Sequence, residues 1–399
     1  MSMKKTAWLL LVLLLCACTA ACAQPQGLGA LTQPHGFTMG AALTYQQMQE
    51  DAYLALVKEH FHTVTPTNEL KAYSLLDEWA SRAAKDGMPV MNYRLADEMV
   101  GWAQQNGLKV RGHVLVWDAY MCDWFFREGY STSKPYADQQ TIRQRVEYYI
   151  TQVITHFETR FPGVVYCWDV VNEAVGDSAA EYAPGDARHL RTLRNGEANP
   201  FQKYMGDDYV ALAFLYARNA VEALGADIKL YYNDYNAYFS DKASAIRALA
   251  ESINSYAQDE NGRPRQLMDG VGMQGYIGGY GTQSGCMVSS HVGMIRKAIL
   301  GYQALGLDVQ ITEMAVRNFE QEQADKHAKY YARLFEMLAA VNAEEGHPLS
   351  SVSIWGLTDC PDEPAGTYTY NLNSPFGGLF TETLQEKDAL RQVCDVLKQ

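Results

Sequence analysis

The chain has 399 residues, which suits one large barrel or two ordinary domains, and it is acidic, with a formal net charge of −13. This charge and the lack of basic runs argue against nucleic acid and anionic membrane surfaces as partners, and they leave neutral polymers open. The cysteines are widely and irregularly spaced, which indicates neither a disulfide framework nor a metal site. No cofactor fingerprint is present in the sequence, so we expect neither a metal nor a cofactor.

The first 23 residues are typical of a secretory signal, because two lysines precede an apolar stretch that is too short to span a membrane. Two cleavage sites compete. A run ending at Cys18 resembles a bacterial lipoprotein site, which would leave Cys18 acylated and the protein in the cell envelope. A small-residue run ending at residue 23 resembles an ordinary export site, which would leave a secreted or periplasmic protein. We favour the lipoprotein and expect residues 24–399 to form a single domain.

Strand-like and helix-like segments alternate eight times along the rest of the chain. The predicted strands are 37–43, 61–65, 109–116, 164–171, 228–232, 270–273, 308–312 and 351–355. The predicted amphipathic helices are 46–58, 95–106, 141–161, 209–224, 242–257, 291–304, 321–343 and 387–398. Eight βα units without a break predict an α/β fold, a single (β/α)8 TIM barrel. A doubly wound sheet is the alternative, but no glycine-rich phosphate loop follows the first strand.

Two glutamates, Glu173 and Glu313, follow directly after β-branched, apolar runs. In a barrel the carboxyl ends of the strands converge on one open face, where catalytic groups gather. Two carboxyl groups at that face can act as the nucleophile and the acid/base of a retaining glycosidase. Asn172, directly before Glu173, is placed to bond a sugar 2-hydroxyl. The simpler alternative is that each glutamate caps the next helix or pairs with a lysine.

Around these glutamates the sequence resembles glycoside hydrolase family 10, the retaining endo-β-1,4-xylanases. The run Trp168-Asp-Val-Val-Asn172-Glu173-Ala174 is similar to the family's acid/base motif, and Gln310-Ile-Thr-Glu313 is similar to its nucleophile motif. Six further matches, within residues 37–395, are Asn68-Glu-Leu-Lys71, Arg111-Gly-His113-Val-Leu-Val-Trp117, Gly206-Asp-Asp-Tyr209, Leu230-Tyr-Tyr-Asn233-Asp234-Tyr235-Asn236, Gly270-Val-Gly-Met-Gln274 and Trp355-Gly-Leu-Thr-Asp359.

The resemblance implies a TIM barrel in which Glu173, at the fourth strand, is the acid/base and Glu313, at the seventh, is the nucleophile. It also implies a set of substrate-binding residues, namely Asn68, Lys71, Trp117, Asp118, Asn172, Asn236, Gln274, Tyr276 and Trp355. The expected partner is a xylan-type β-glycan, and the expected assembly is a monomer. For His113, a buried barrel histidine is the expectation.

The chain departs from the family pattern at several of these positions. On the side that grips the non-reducing sugars, Thr67 stands in place of Glu, Asp118 in place of His and Tyr120 in place of Gln. Tyr276 replaces the histidine that normally bonds the nucleophile, and Ala315 replaces the aspartate that supports that histidine. A phenol can donate a hydrogen bond without a supporting partner, so we interpret Tyr276 as a functional substitute.

These observations together predict an exported endo-acting β-glycanase that cuts xylan or decorated xylan. The altered residues on the non-reducing side leave a β-glycanase or glycosidase for another polysaccharide as an alternative. A non-catalytic glycan-binding barrel is an alternative of a different class, and the presence of both glutamates argues against it.

Overall fold

The computed structural model describes residues 27–177, 189–193, 195–277, 286–361 and 374–399. The predicted signal, including Cys18, lies outside these residues. Within the described ranges, no helix is long and apolar enough to cross a membrane.

Eight parallel strands of the described chain close into a barrel. They are β1 Thr38–Leu43, β2 Thr63–Pro66, β3 Lys109–Gly112, β4 Val165–Asn172, β5 Lys229–Asp234, β6 Gly270–Met273, β7 Asp308–Val316 and β8 Leu349–Ile354. Each strand pairs in parallel with the next one along the chain, and β8 pairs with β1, which closes the ring. The predicted TIM barrel is therefore confirmed.

One long helix follows each strand and packs on the outside of the barrel. These helices are α1 Asp51–His60, α2 Arg94–Gln105, α3 Gln139–Arg160, α4 Tyr209–Leu224, α5 Ser240–Asn254, α6 Ser289–Gln303, α7 Ala324–Glu345 and α8 Asp388–Leu397. The first predicted helix starts too early, because residues 47–49 form a separate 3-10 turn before α1. The other boundaries agree with the sequence-based ones within a few residues.

The segment between β2 and α2 contains structure that the sequence pattern does not predict. It forms two short helices, Ala72–Leu75 and Glu78–Ala83, and an antiparallel pair of two-residue strands, Leu76–Asp77 with Val90–Met91. Helices and strands this short do not contain a full repeat of apolar and polar residues, so hydrophobic periodicity in the sequence does not reveal them. They build up one wall of the open face of the barrel.

Polar side chains fill the barrel interior beneath that face. Arg111 and Asp169 are both about 1% exposed and form an ion pair. His113 Nδ1 lies 2.9 Å from Asp169 Oδ2, and Arg111 also donates to Gln310 Oε1. Because buried charges are tolerated only when they are paired and hydrogen-bonded, this network holds β3, β4 and β7 in one arrangement.

Candidate active site

A cleft opens at the carboxyl ends of the barrel strands. Both glutamates and most of the predicted sugar-binding residues line it, together with others, and the full set is Thr67, Asn68, Lys71, His113, Trp117, Tyr120, Glu173, Gln274, Tyr276, Glu313 and Trp355. The barrel thus brings together side chains that come from six of its strand ends or the loops that follow them. Within the described residues, no group of histidine, cysteine, aspartate and glutamate side chains is suited to hold a metal ion.

Irregularities in the strands direct the two glutamates into this cleft. Between Asp169 and Val171, β4 advances by two residues while its partner β5 advances by only one. Between Ile311 and Met314, β7 contains one residue more than the facing part of β8. Such bulges re-aim the side chains beside them, and they occur here directly before Glu173 and at Glu313 itself.

Glu313 is 5% exposed and receives two hydrogen bonds on its two oxygens. Asn233 Nδ2 donates to Glu313 Oε1 at 3.0 Å, and the Tyr276 hydroxyl donates to Glu313 Oε2. Thr312 Oγ1 donates to Asn233 Oδ1 at 2.7 Å, which fixes the amide with its nitrogen toward the glutamate. The carboxylate is therefore held in one orientation, as a nucleophile requires.

Glu173 stands in a different electrostatic setting. Burial, and after it the nearby charge of Asp234, raises the pKa of the Glu173 carboxyl to about 8. A hydrogen bond from Gln274 Nε2 to Glu173 Oε1, at 2.8 Å, and the positive charge of Arg191 oppose this rise. The carboxyl is therefore largely protonated at neutral pH, which is the state that a general acid needs.

Three amide side chains connect the two glutamates. Asn172 Oδ1 accepts from Asn233 Nδ2 at 2.9 Å and from Gln274 Nε2 at 3.3 Å, and these two amides also bond Glu313 and Glu173 respectively. Among the described atoms, Asn172 Nδ2 and Gln274 Oε1 are buried without a hydrogen-bond partner. A buried polar atom without a hydrogen-bond partner destabilises the fold, and a bound hydroxyl group would supply the missing partner to both atoms.

Tyr276 lies in a small apolar cluster with Ala42, Ala315 and Trp355. Ala315 is its register partner, because the short strand Tyr276–Ile277 pairs with the end of β7. The two departures from the family pattern are therefore in direct contact. A small alanine leaves room for the phenol, which is larger than the imidazole it replaces.

Lys71 occupies the end of the cleft formed by the segments after β2 and β3. Its Nζ donates to Asn68 Oδ1 at 3.1 Å and lies 5.1 Å from the Trp117 ring centroid and 4.1 Å from that of Tyr120. Burial lowers the pKa of Lys71 to about 8, against the opposing carboxylates, of which Glu313 is the strongest. A lysine held over two rings is positioned to donate to a sugar hydroxyl.

Three of the predicted sugar-binding residues are not among those that line the cleft, namely Asn172, Asp118 and Asn236. Asn172 is buried behind the lining, where it bonds Asn233 and Gln274. Asp118 is half-buried at the start of a 3-10 turn, where burial raises the pKa of its carboxyl and Arg191 opposes the rise. Asn236 lies in the turn beyond β5 with a positive φ of 55°. The strand runs two residues further than predicted, to Asp234, so the inward-facing amide of that motif is Asn233.

The site also contains residues that were not singled out as binding residues in the sequence. Asn233 is within a quoted motif, and the signal that identifies it is its alternation with the other inward-facing residues of β5. His113 bonds Asp169, as expected for a buried barrel histidine, and it also lines the cleft. Trp124 packs in the core, where it is 8% exposed.

The geometry agrees with comparisons to known proteins. The family model for glycosyl hydrolase family 10 matches residues 27–396. The chain belongs to glycosyl hydrolase family 10. A relative from Caldicellulosiruptor saccharolyticus is 33% identical over 74% of this chain and 88% of its own length. Endo-1,4-beta-xylanase Y of Acetivibrio thermocellus is 29% identical over 91% of this chain, which spans only 32% of that protein.

Solved family 10 structures show the same fold. The endo-1,4-beta-D-xylanase 10B of Clostridium thermocellum, solved with xylohexaose, is 26% identical with a TM-score of 0.77, over 95% of this chain and 69% of that one. An intracellular xylanase of Thermoanaerobacterium saccharolyticum is 26% identical with a TM-score of 0.70, over 93% and 98% of the two chains. Membership of this family makes the chain a glycoside hydrolase.

Proposed function

We propose that the chain is a retaining endo-1,4-β-xylanase that hydrolyses xylan or decorated xylan. The observation that carries this proposal is the unequal setting of two glutamates in one cleft. Glu173 is protonated at neutral pH because of its burial and of Asp234, whereas Glu313 is oriented by Asn233 and Tyr276. Double displacement needs this division between an acid and a nucleophile.

In the first step, a Glu313 oxygen bonds to the anomeric carbon while Glu173 gives its proton to the departing glycosidic oxygen. In the second step, Glu173 takes a proton from water, the water oxygen bonds to the anomeric carbon, and the bond to Glu313 breaks. Asn172 Nδ2, buried and without a partner among the described atoms, donates to the sugar 2-hydroxyl. That hydrogen bond strengthens as positive charge develops on the ring.

The test is azide rescue of a Glu173→Ala variant on an activated aryl β-xyloside. The variant should hydrolyse substrates with poor leaving groups most slowly. Added azide should restore turnover of the aryl xyloside and give a β-glycosyl azide as the product. Glu313→Ala should be inactive on every substrate, since no covalent intermediate can form. Glu320→Ala, which removes an exposed carboxylate after β7, is the control and should keep wild-type activity. An α-azide product would contradict the assigned roles.

A different β-glycan remains the second candidate, and Thr67 is the observation that favours it. Thr67 lines the cleft where family members carry a glutamate, so one charged partner for sugar hydroxyls is gone. Sites built around particular hydroxyls discriminate strongly between sugars. Hydrolysis of a panel of xylans and β-glucans decides between the two substrates, and faster release from a β-glucan than from any xylan would favour the second.

We also propose that residues 1–23 direct export, that Cys18 carries a lipid, and that residues 24–399 are the catalytic domain. The support is the apolar run after two lysines and the lipoprotein-like site. Expression in a bacterial host with labelled palmitate should give a labelled, membrane-bound protein, and Cys18→Ala should remove the label. An unlabelled wild type that begins at Gln24 would contradict the lipid.

A further inference from the structure

Three aromatic rings form a continuous line from inside the cleft to the protein surface. We define this aromatic wall as Trp117, Tyr120 and Tyr73. The ring centroids of Trp117 and Tyr120 are 4.5 Å apart, and those of Tyr120 and Tyr73 are 5.5 Å apart. Trp117 and Tyr120 line the cleft with the two glutamates, whereas Tyr73 lies beyond its edge. The wall is therefore continuous with the catalytic cleft.

Exposed aromatic residues are concentrated beside this end of the cleft. Among the described residues, the large apolar side chains classed as exposed are Tyr73 at 43%, Trp79 at 74%, Tyr120 at 37% and Tyr256 at 39%. Three of these four belong to the two loops that follow β2 and β3. Contiguous exposed apolar side chains are typical of interaction sites, and Tyr73 and Tyr120 are in contact with each other.

The wall is held in place before any ligand arrives. Lys71 Nζ lies over both the Trp117 and the Tyr120 ring and is itself hydrogen-bonded to Asn68. A cation over an aromatic face favours one ring orientation, and a ring that is already oriented loses less entropy when it binds. The family pattern has glutamine at the position of Tyr120, so a lysine over an aromatic ring at this position departs from that pattern.

We propose that Tyr120 and Tyr73 form a distal subsite that binds one further pyranose ring of the substrate on its non-reducing side. The inference rests on the proposed β-glycanase function and extends it. An aromatic face suits the apolar C–H face of a pyranose, and the tyrosine hydroxyl keeps a polar edge toward water. The occupant is the continuing substrate chain, because the wall begins at rings that line the catalytic cleft. Beyond Lys71, the wall consists of uncharged rings, which fits a neutral sugar.

The experiment compares xylohexaose with xylotriose in variants of Tyr73. Tyr73→Leu removes the ring and should raise KM for xylohexaose roughly 3–10-fold with kcat unchanged, the size expected for one aromatic contact. The same change should leave KM for xylotriose nearly unaltered, because the shorter chain does not reach Tyr73. Tyr73→Phe keeps the ring and should behave as wild type. Tyr256→Leu, an equally exposed tyrosine after α5, is the matched control.

The two proposals fail in distinguishable ways. Hydrolysis of xylohexaose by the wild type tests the proposed function, and the length dependence in the Tyr73 variants tests the wall. Calorimetric binding of xylohexaose to Glu313→Ala protein gives a readout that does not need turnover. In that background Tyr73→Leu should raise Kd by the same factor. An unchanged Kd, or equal losses on both oligosaccharides, would overturn the distal subsite.

Discussion

Tyr276 shows how a single residue can replace a two-residue unit. Its hydroxyl donates to Glu313, and its ring packs against Ala315, the position where the family has the aspartate that supports a histidine. Imidazole needs a partner to fix its tautomer, but a phenol has only one donor. Tyr276 therefore does not need the aspartate that Ala315 replaces.

If this hydroxyl orients the nucleophile, Tyr276→Phe should lower kcat by roughly 10–10³-fold and leave KM nearly unchanged. The reason is that the variant loses one preorganised hydrogen-bond donor to a carboxylate whose charge changes during the reaction. Tyr330→Phe removes a hydroxyl that donates to a backbone carbonyl away from the cleft and is the control. Steady-state kinetics on xylan oligosaccharides measure both. Tyr276→His should be poor alone and partly recover with Ala315→Asp, a favourable coupling in the double-mutant cycle. Wild-type kinetics for Tyr276→Phe would mean that the ring only fills space.

If Glu173 is the general acid, its pKa should set the alkaline limit of activity. The general acid must be protonated, so kcat/KM should fall as the pH rises through about 8. Asp234→Asn removes the charge that raises this pKa after burial, and it should move the alkaline limb to lower pH by roughly 1 unit. Arg191→Gln removes a positive charge that lowers the pKa and should move the limb to higher pH. Asp241→Asn, exposed on α5, should leave the profile in place. Shifts of the same sign in both cleft variants would contradict this electrostatic account.

At the scale of elements, strand irregularities rather than strands bring the catalytic groups together. Gly275, two residues beyond the end of β6, has a φ of +77° and turns the chain so that Tyr276 pairs with the end of β7. A Cβ at this glycine would lie 2.5 Å from Ile311 Cγ2. The turn thus requires glycine both for its backbone angle and for its close approach to β7.

Gly275→Ala should therefore displace Tyr276 and lower kcat at least roughly tenfold, as expected for a misplaced catalytic contact. Gly107→Ala is the matched control, because Gly107 has a similar φ of +71° but a Cβ there meets nothing within 4 Å. Gly107→Ala should lose about 1 kcal/mol of unfolding free energy through the left-handed backbone, and Gly275→Ala should lose more because its Cβ would also clash with Ile311. Kinetics and urea denaturation separate the two effects. Equal activity of the two alanine variants would show that the turn does not position Tyr276.

At the scale of the whole molecule, a buried ion-pair network connects the barrel interior to the cleft. Asp169 pairs with Arg111 and contacts His113, and that histidine in turn lines the cleft. Asp169→Leu would leave the arginine buried without its counter-charge and should cost about 3–5 kcal/mol of unfolding free energy. Replacing both partners, as Asp169→Leu with Arg111→Met, should cost less than Asp169→Leu alone.

Urea denaturation measures these changes, and the exposed pair Asp325–Lys329 is the control. Breaking that pair with Asp325→Ala should have little effect, because exposed ion pairs contribute little. If Asp169→Leu were as mild as Asp325→Ala, the interior pair would not hold the strands together.

The sequence by itself determined the barrel, because hydrophobic periodicity is local and repeats eight times without a break. It also predicted Glu173 and Glu313 as the paired carboxyl groups, since each follows a β-branched, apolar run that is typical of a buried strand. Tertiary structure alone decided that Asn233 rather than Asn236 bonds Glu313 and Asn172, because this depends on where β5 ends. It likewise decided the raised pKa of Glu173, which follows from burial and from the charge of a residue 61 positions away in the chain. The contact between Tyr73 and Tyr120 joins two loops from different strands, so no local pattern reports it.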